Sequence, residues 1–143
     1  MIEVLAVLAI TTTQSPAAQP EVIRRVESVA VAYPDYPREL APAVDEYMKC
    51  FNAAVAGKPL IPTPEEAFEQ SIQGCAEERA QSEQLAQQLK VVEWPEPGSP
   101  ERALEVTKLL DQVAESHRAA GKAIAAQIAE ITQQRPASEA PDP

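Results

Sequence analysis

The sequence predicts an all-α protein: an elongated antiparallel three-helix bundle, up-down-up, with a long C-terminal helix and one disulfide staple. Three observations carry this expectation. Apolar residues recur at spacings of three and four over three segments, residues that start and stop helices flank each segment, and the two cysteines fall on neighbouring segments. The chain is 45% hydrophobic but only 4% aromatic, which suits helix-on-helix packing around a thin core. Fourteen prolines and four glycines give the elements hard ends.

The amino terminus, MIEVLAVLAITTTQSPAAQP, has an apolar run from Val4 to Ile10 and then the small residues Ser15 and Ala17. Residues 1–17 therefore read as a signal peptide, which places the chain in the bacterial periplasm or among secreted proteins. The run is far shorter than the ~20 residues a spanning helix needs, so no integral membrane segment is expected in the mature chain. Glu3 stands where such a leader carries a basic residue, and a start upstream of Met1 would restore the basic region. The other reading makes this stretch a strand or helix of the fold itself.

Residues 18–37 form an N-terminal arm, extended or short-helical. Val22, Val26 and Val29 are spaced for a helix, whereas Val29 to Tyr33 alternates like a strand, and Pro34 and Pro37 end either one. Tyr33 and Tyr36 are expected to pack over one end of the bundle, with an exposed docking segment as the alternative.

The bundle spans 38–135. Its first helix runs from Arg38 to Ala56 on the stripe Leu40, Val44, Tyr47, Phe51 and Val55, with Pro42 in the first turns and Gly57 as terminator. The second helix starts at Thr63-Pro64-Glu65-Glu66, a capping box with proline at the first helical position. It presents Phe68, Ile72, Cys75, Leu85, Ala86 and Leu89, a stripe that Arg79 and Ser82 interrupt. After the stiff turn WPEPGSP, Ser99 caps a third helix of roughly 50 Å, which ends near Gln134. Its stripe is Val106, Leu110, Val113, His117, Ala120, Ile124, Ile128 and Ile131. The tail 136–143 is acidic, proline-rich and expected to be disordered. Folding the second helix onto the third about the turn at 94–98 sets Leu89 opposite Val106, Cys75 near Ala120 and Gly121, and Phe68 near Ile128.

Cys50 and Cys75 are expected to form the disulfide. They lack C-x-x-C spacing, and antiparallel packing brings them to similar heights. Closing a loop of that size is worth on the order of 3 kcal/mol. Zinc would need two further ligands, and a set completed by His117 and Glu115 matches no zinc spacing, so neither a metal nor another cofactor is expected. Gly74, beside Cys75, offers room for close helix approach.

Nothing points to catalysis. Carboxylate pairs such as Glu65-Glu66 and Glu77-Glu78 diverge by ~100° on a helix, Ser71, Ser82 and Ser116 lack a nucleophile's strained turn, and there is no phosphate-binding loop. With 12 basic against 22 acidic residues and a net charge of −10, the chain repels phosphate backbones, so nucleic acid is not expected as a partner. The expected role is that of an exported, non-enzymatic structural, adaptor or chaperone-like protein. Its partner surface, for another protein or a second copy, is placed at Phe68, Ile72, Ile124, Ile128 and Ile131. The alternative is a small-molecule or metal binder with a polar pocket at Arg79, Ser82, Glu115 and His117.

Overall fold

A computed structural model describes residues 6–7, 30–56 and 63–134. Apart from one two-residue ladder, the regular structure in these residues is helical. Strands β1 (Ala6–Val7) and β2 (Ala30–Val31) pair antiparallel, Ala6 opposite Val31 and Val7 opposite Ala30. A 3-10 turn at Arg38–Leu40 leads into helix α1 (Ala41–Ala56), followed by α2 (Pro64–Gly74), α3 (Ala76–Gln88) and α4 (Pro100–Gln133). The connector at 57–62, with Gly57, and the tail at 136–143 lie outside the described residues. So do residues 1–29, expected to form a leader and part of the arm, apart from β1.

The expected second helix is two helices. Gly74 ends α2, Cys75 takes a turn conformation at φ −103° and ψ 24°, and α3 begins at Ala76. Glycine lowers helix stability by about 1 kcal/mol against alanine, and Cys75 is pinned by its covalent bond to α1. The interruption is one residue long: the Cys75 N–H donates to the Ile72 carbonyl and the Arg79 N–H to the Cys75 carbonyl.

The helix faces follow the apolar periodicity. Helix α1 buries Ala43, Val44, Tyr47, Met48, Phe51 and Val55. Helix α4 buries Val106, Leu109, Leu110, Val113, Ala114, His117, Ala120, Gly121 and Ile124, together with Arg102. The α2–α3 pair departs from expectation at its far end. Ala86 is inside as expected, but Ser82 is inside too while Leu85 is 37% exposed, because the Ser82 hydroxyl donates to the Ala43 carbonyl at 2.7 Å and holds that face against α1.

Contacts tie α1 and α4 to α2 and α3. Ala43 meets Ser82 and Cys50 meets Cys75. Ala86 meets Arg102, Arg79 meets Asp111 and Glu69 meets Arg118. The register of α4 differs from the expected one. Phe68 lies against Gly121, two turns before the Ile128 expected opposite it, while Ile128 packs at the edge of the same cluster, and Arg79 reaches Asp111. A shift of about two turns keeps the same face inward, since two turns take ~7.2 residues. Its origin is the early end of α3 at Gln88 and the burial of Arg102 in the first turn of α4, which draws that turn in beneath Ala86.

Of the expected caps, Ser99 Oγ accepts from the Arg102 N–H at 3.1 Å. Thr63 behaves differently: its hydroxyl donates to the Glu66 carboxylate at 2.7 Å and takes no backbone N–H. A charge-assisted bond outcompetes a neutral cap.

Two apolar clusters result. The larger joins Leu40, Tyr47, Phe51, Ile72, Cys75, Val106, Leu110 and Val113, among others. The smaller joins Val31, Val55, Phe68, Ala120 and Ile124. Burying side chains of this size is worth ~1.5–3 kcal/mol each, whereas exposed ion pairs such as Lys49–Glu46 are screened by solvent, so the clusters hold the helices together.

Candidate functional site

The disulfide is present, joining Cys50 of α1 to Cys75 with Cα atoms 6.0 Å apart and a sequence separation of 25. Cys75 is buried and Cys50 half-buried. Glu78, three residues into α3, brings a carboxylate oxygen within 4.8 Å of both sulfurs. Its Oε2 is shielded from solvent and has no hydrogen-bond partner. Gly74 does not supply close approach, since a Cβ there would meet nothing within 4 Å. The glycine that does is Gly121, where a Cβ would lie 2.9 Å from Cβ and Cγ of Phe68.

His117 is fully buried between two phenyl rings. The Phe51 and Phe68 centroids each lie 4.5 Å from the imidazole, tilted by 30° and 34°. Phe51 belongs to the larger cluster and Phe68 to the smaller, so the imidazole joins the two. Nε2 is 2.8 Å from Ser71 Oγ, and that hydroxyl donates its single proton to the Phe68 carbonyl at 2.6 Å. Nε2 therefore donates to Ser71, and the ring is the neutral tautomer with the proton on Nε2. Burial, with the nearby Arg118 charge second, lowers the His117 pKa to about 4. Nδ1 is left without a partner.

The four residues expected around a polar pocket have separate partners. Arg79 pairs with Asp111 at 2.6 Å and Glu83 at 3.1 Å. Ser82 is bonded to the Ala43 carbonyl. Glu115 is exposed and lies 3.4 Å from Arg118, whose main contact is a two-pronged one to Glu69 at 2.6 and 3.2 Å. The hydrogen bond from Arg118 holds the Glu69 carboxyl below its ordinary pKa. Only Glu115 lines the open groove described next.

That groove runs between residues 31–34 and α4. Val31, Ala32, Tyr33 and Pro34 form one wall, and Gln112, Glu115, Ser116, Ala119, Ala120 and Ala123 form the floor and far side, enclosing about 610 Å³. Alanines at 119, 120 and 123 repeat at helical spacing and leave the floor shallow. Tyr33 packs against both clusters. Tyr36 donates to Asp45 at 3.1 Å, and burial followed by the Asp45 charge raises its pKa to about 12. Of the expected partner-surface residues, Phe68, Ile72 and Ile124 are buried, while Ile128 and Ile131 are half-buried. Gly121 admits the Phe68 ring and takes it out of reach of solvent.

Sequence reading missed Arg102, Ser71 and Glu78. Arg102 has no solvent exposure. Its Nε donates to the Pro95 carbonyl at 2.8 Å, its Nη1 lies 3.4 Å from the Ala86 carbonyl, and its guanidinium sits 5.4 Å from the Trp94 ring centre. A signal did exist for Ser71, which falls four residues before Cys75 on the buried face. No helix among the described residues is long and apolar enough to cross a membrane. The chain matches no protein-family profile, no curated protein and no solved structure.

Proposed function

We propose that this chain is an exported, non-enzymatic interaction protein. Its helices act as an elongated up-down-up bundle of three rods, with α2 and α3 forming the middle one. The observation that carries the reading is the open groove between residues 31–34 and α4, apolar over most of its lining and floored by Ala119, Ala120 and Ala123. A shallow alanine floor accepts an extended or helical segment of another protein without needing a deep anchor. Gln112, Glu115 and Ser116 supply polar contacts at the edge.

The support for a non-catalytic role is the way polar groups are used. His117 is enclosed by two phenyl rings, and Arg79, Ser82 and Arg118 are each engaged inside the fold. Export is compatible with the disulfide and with the lack of a membrane-spanning helix among the described residues. The small-molecule alternative places its ligand at His117, where the ring's surroundings are already filled.

The test is an Ala119→Arg, Ala123→Arg double variant, which fills the groove from exposed and half-buried positions of α4. Sedimentation of the pure protein and quantitative capture from the cell envelope should both be compared with the parent chain. Loss of self-association or of specific captured proteins, with helix content unchanged, is the expected result. Identical behaviour of the two chains in both measurements would remove the groove from consideration.

A further inference from the structure

We propose that Cys50, Cys75 and Glu78 form a three-donor site for a thiophilic divalent cation of the zinc class, available when the disulfide is reduced. The two sulfurs and a Glu78 oxygen already lie within 4.8 Å of one another. Donors around a tetrahedral zinc ion, with bonds of ~2.3 Å to sulfur and ~2.0–2.2 Å to oxygen, sit roughly 3.3–3.8 Å apart. Separating the sulfurs to that distance takes side-chain rotation on helices whose Cα atoms are 6.0 Å apart.

Independent of that geometry, Glu78 Oε2 is shielded from water and has no hydrogen-bond donor. Buried carboxylate oxygens are normally satisfied, and leaving one bare costs about 1–3 kcal/mol or more. A cation held by the neighbouring sulfurs satisfies it. Two thiolates select soft ions over magnesium or calcium. Three protein donors leave a fourth position for water, the arrangement of an open zinc site.

The chemistry balances with a dithiol as reductant. Its thiolate attacks Sγ of Cys50, the less buried of the two residues, breaking the Cys50–Cys75 bond and releasing Cys75 as thiolate. The second thiol of the reductant then displaces Cys50 and leaves as a cyclic disulfide. Two electrons and two protons have passed to the protein. Cation binding returns the two protons to solvent. The rest of the fold keeps the donors in register: Ser82 still holds Ala43, and Phe51, next to Cys50, still packs on His117. The disulfide and the metal-bound state are mutually exclusive, so the site reports the thiol redox state of its surroundings.

The full chain is reduced with a dithiol, desalted without oxygen and titrated with cobalt(II), alongside the oxidised chain and the Glu78→Gln and Cys50→Ser variants. Expected is one cobalt(II) per reduced chain, with a thiolate-to-cobalt charge-transfer band that zinc abolishes and that the oxidised chain lacks. Glu78→Gln should weaken cobalt(II) binding at least about ten-fold, and Cys50→Ser should remove most of the band. Far-ultraviolet circular dichroism should show the helices intact after reduction. Absence of the band, equal affinity in Glu78→Gln, or helix lost on reduction and not restored by cobalt(II) would each overturn the site.

Discussion

Ser71 and His117 face each other across α2 and α4 with 2.8 Å between Oγ and Nε2, and the serine's own bond to the Phe68 carbonyl fixes which of them donates. The pair makes the imidazole a neutral core group. Protonating Nδ1 would place a charge between two phenyl rings with no acceptor on that nitrogen.

That arrangement makes stability depend on pH. In the unfolded chain the imidazole titrates near 6.5, and in the fold near 4. Between those values the unfolded state binds more protons, so the contribution is complete above about pH 6.5 and is lost as pH falls toward 4. The loss is on the order of 3 kcal/mol. Urea unfolding at pH 7, 5.5 and 4 should show this decline, and His117→Gln should flatten it while lowering stability at pH 7. A decline of the same size in His117→Gln would assign the dependence to the surface carboxylates instead.

The Cys50–Cys75 bond closes a loop with a sequence separation of 25, which in the chain-entropy model is worth about 3 kcal/mol. The Cys50→Ala, Cys75→Ala double variant should unfold at correspondingly lower denaturant, with an equal or steeper slope because its unfolded chain is freed of the cross-link. Retention of the parent midpoint would mean that the helix contacts alone set the stability. Under metal-free oxidising conditions, Glu78→Gln should leave that midpoint nearly unmoved or slightly raised, since it removes a charge from an oxygen that has no donor.

Helix faces were legible in this sequence because the 3.6-residue period fixes which side chains share a side. The register of α4 was not, for the same reason: moving it by two turns leaves the periodic pattern unaltered. What selects the register is Arg102, a charged residue whose complete burial no hydropathy pattern suggests. The staple was legible from two cysteines on neighbouring helices. The carboxylate beside it was not, since Glu78 reads as one of many solvated acids until α1 is placed against it. The break at Gly74 carried a signal, because glycine inside a helix weakens it, but the sequence also allowed a continuous helix there.

The two helical glycines should respond oppositely to alanine. At Gly121 the new methyl would fall 2.9 Å from two atoms of Phe68, which is buried against Ala120 and Ile124 and cannot move freely. Overpacking of this kind costs ~1–3 kcal/mol and outweighs the helix-propensity gain of about 1 kcal/mol. At Gly74 a methyl meets nothing within 4 Å, and Gly74→Ala should stabilise by ~0.5–1 kcal/mol. Thermal unfolding of the two variants tests both signs, and a stabilised Gly121→Ala would show that α2 and α4 separate more easily than their packing implies.

Arg102 holds the connector between α3 and α4 by hydrogen bonding rather than by charge pairing. It bonds to Pro95 Oand reaches Ala86 O, one of the carbonyls that the end of α3 leaves without a helical partner. No carboxylate pairs with it among the described residues. Replacing it with methionine keeps most of the volume and removes the cost of burying the charge, but strands both carbonyls. Hydrogen bonds to charged donors are worth ~1.5–3 kcal/mol each, so the net change should be a loss of about 1–3 kcal/mol. Residues 89–99 should become more sensitive to protease than in the parent chain. Arg102→Lys separates charge from geometry, because an ammonium cannot reproduce the planar fork that serves both carbonyls and lies over Trp94. Lysine should therefore fail to restore protease protection. Full protection with lysine would mean that the positive charge at the end of α3, and not the fork, fixes the connector.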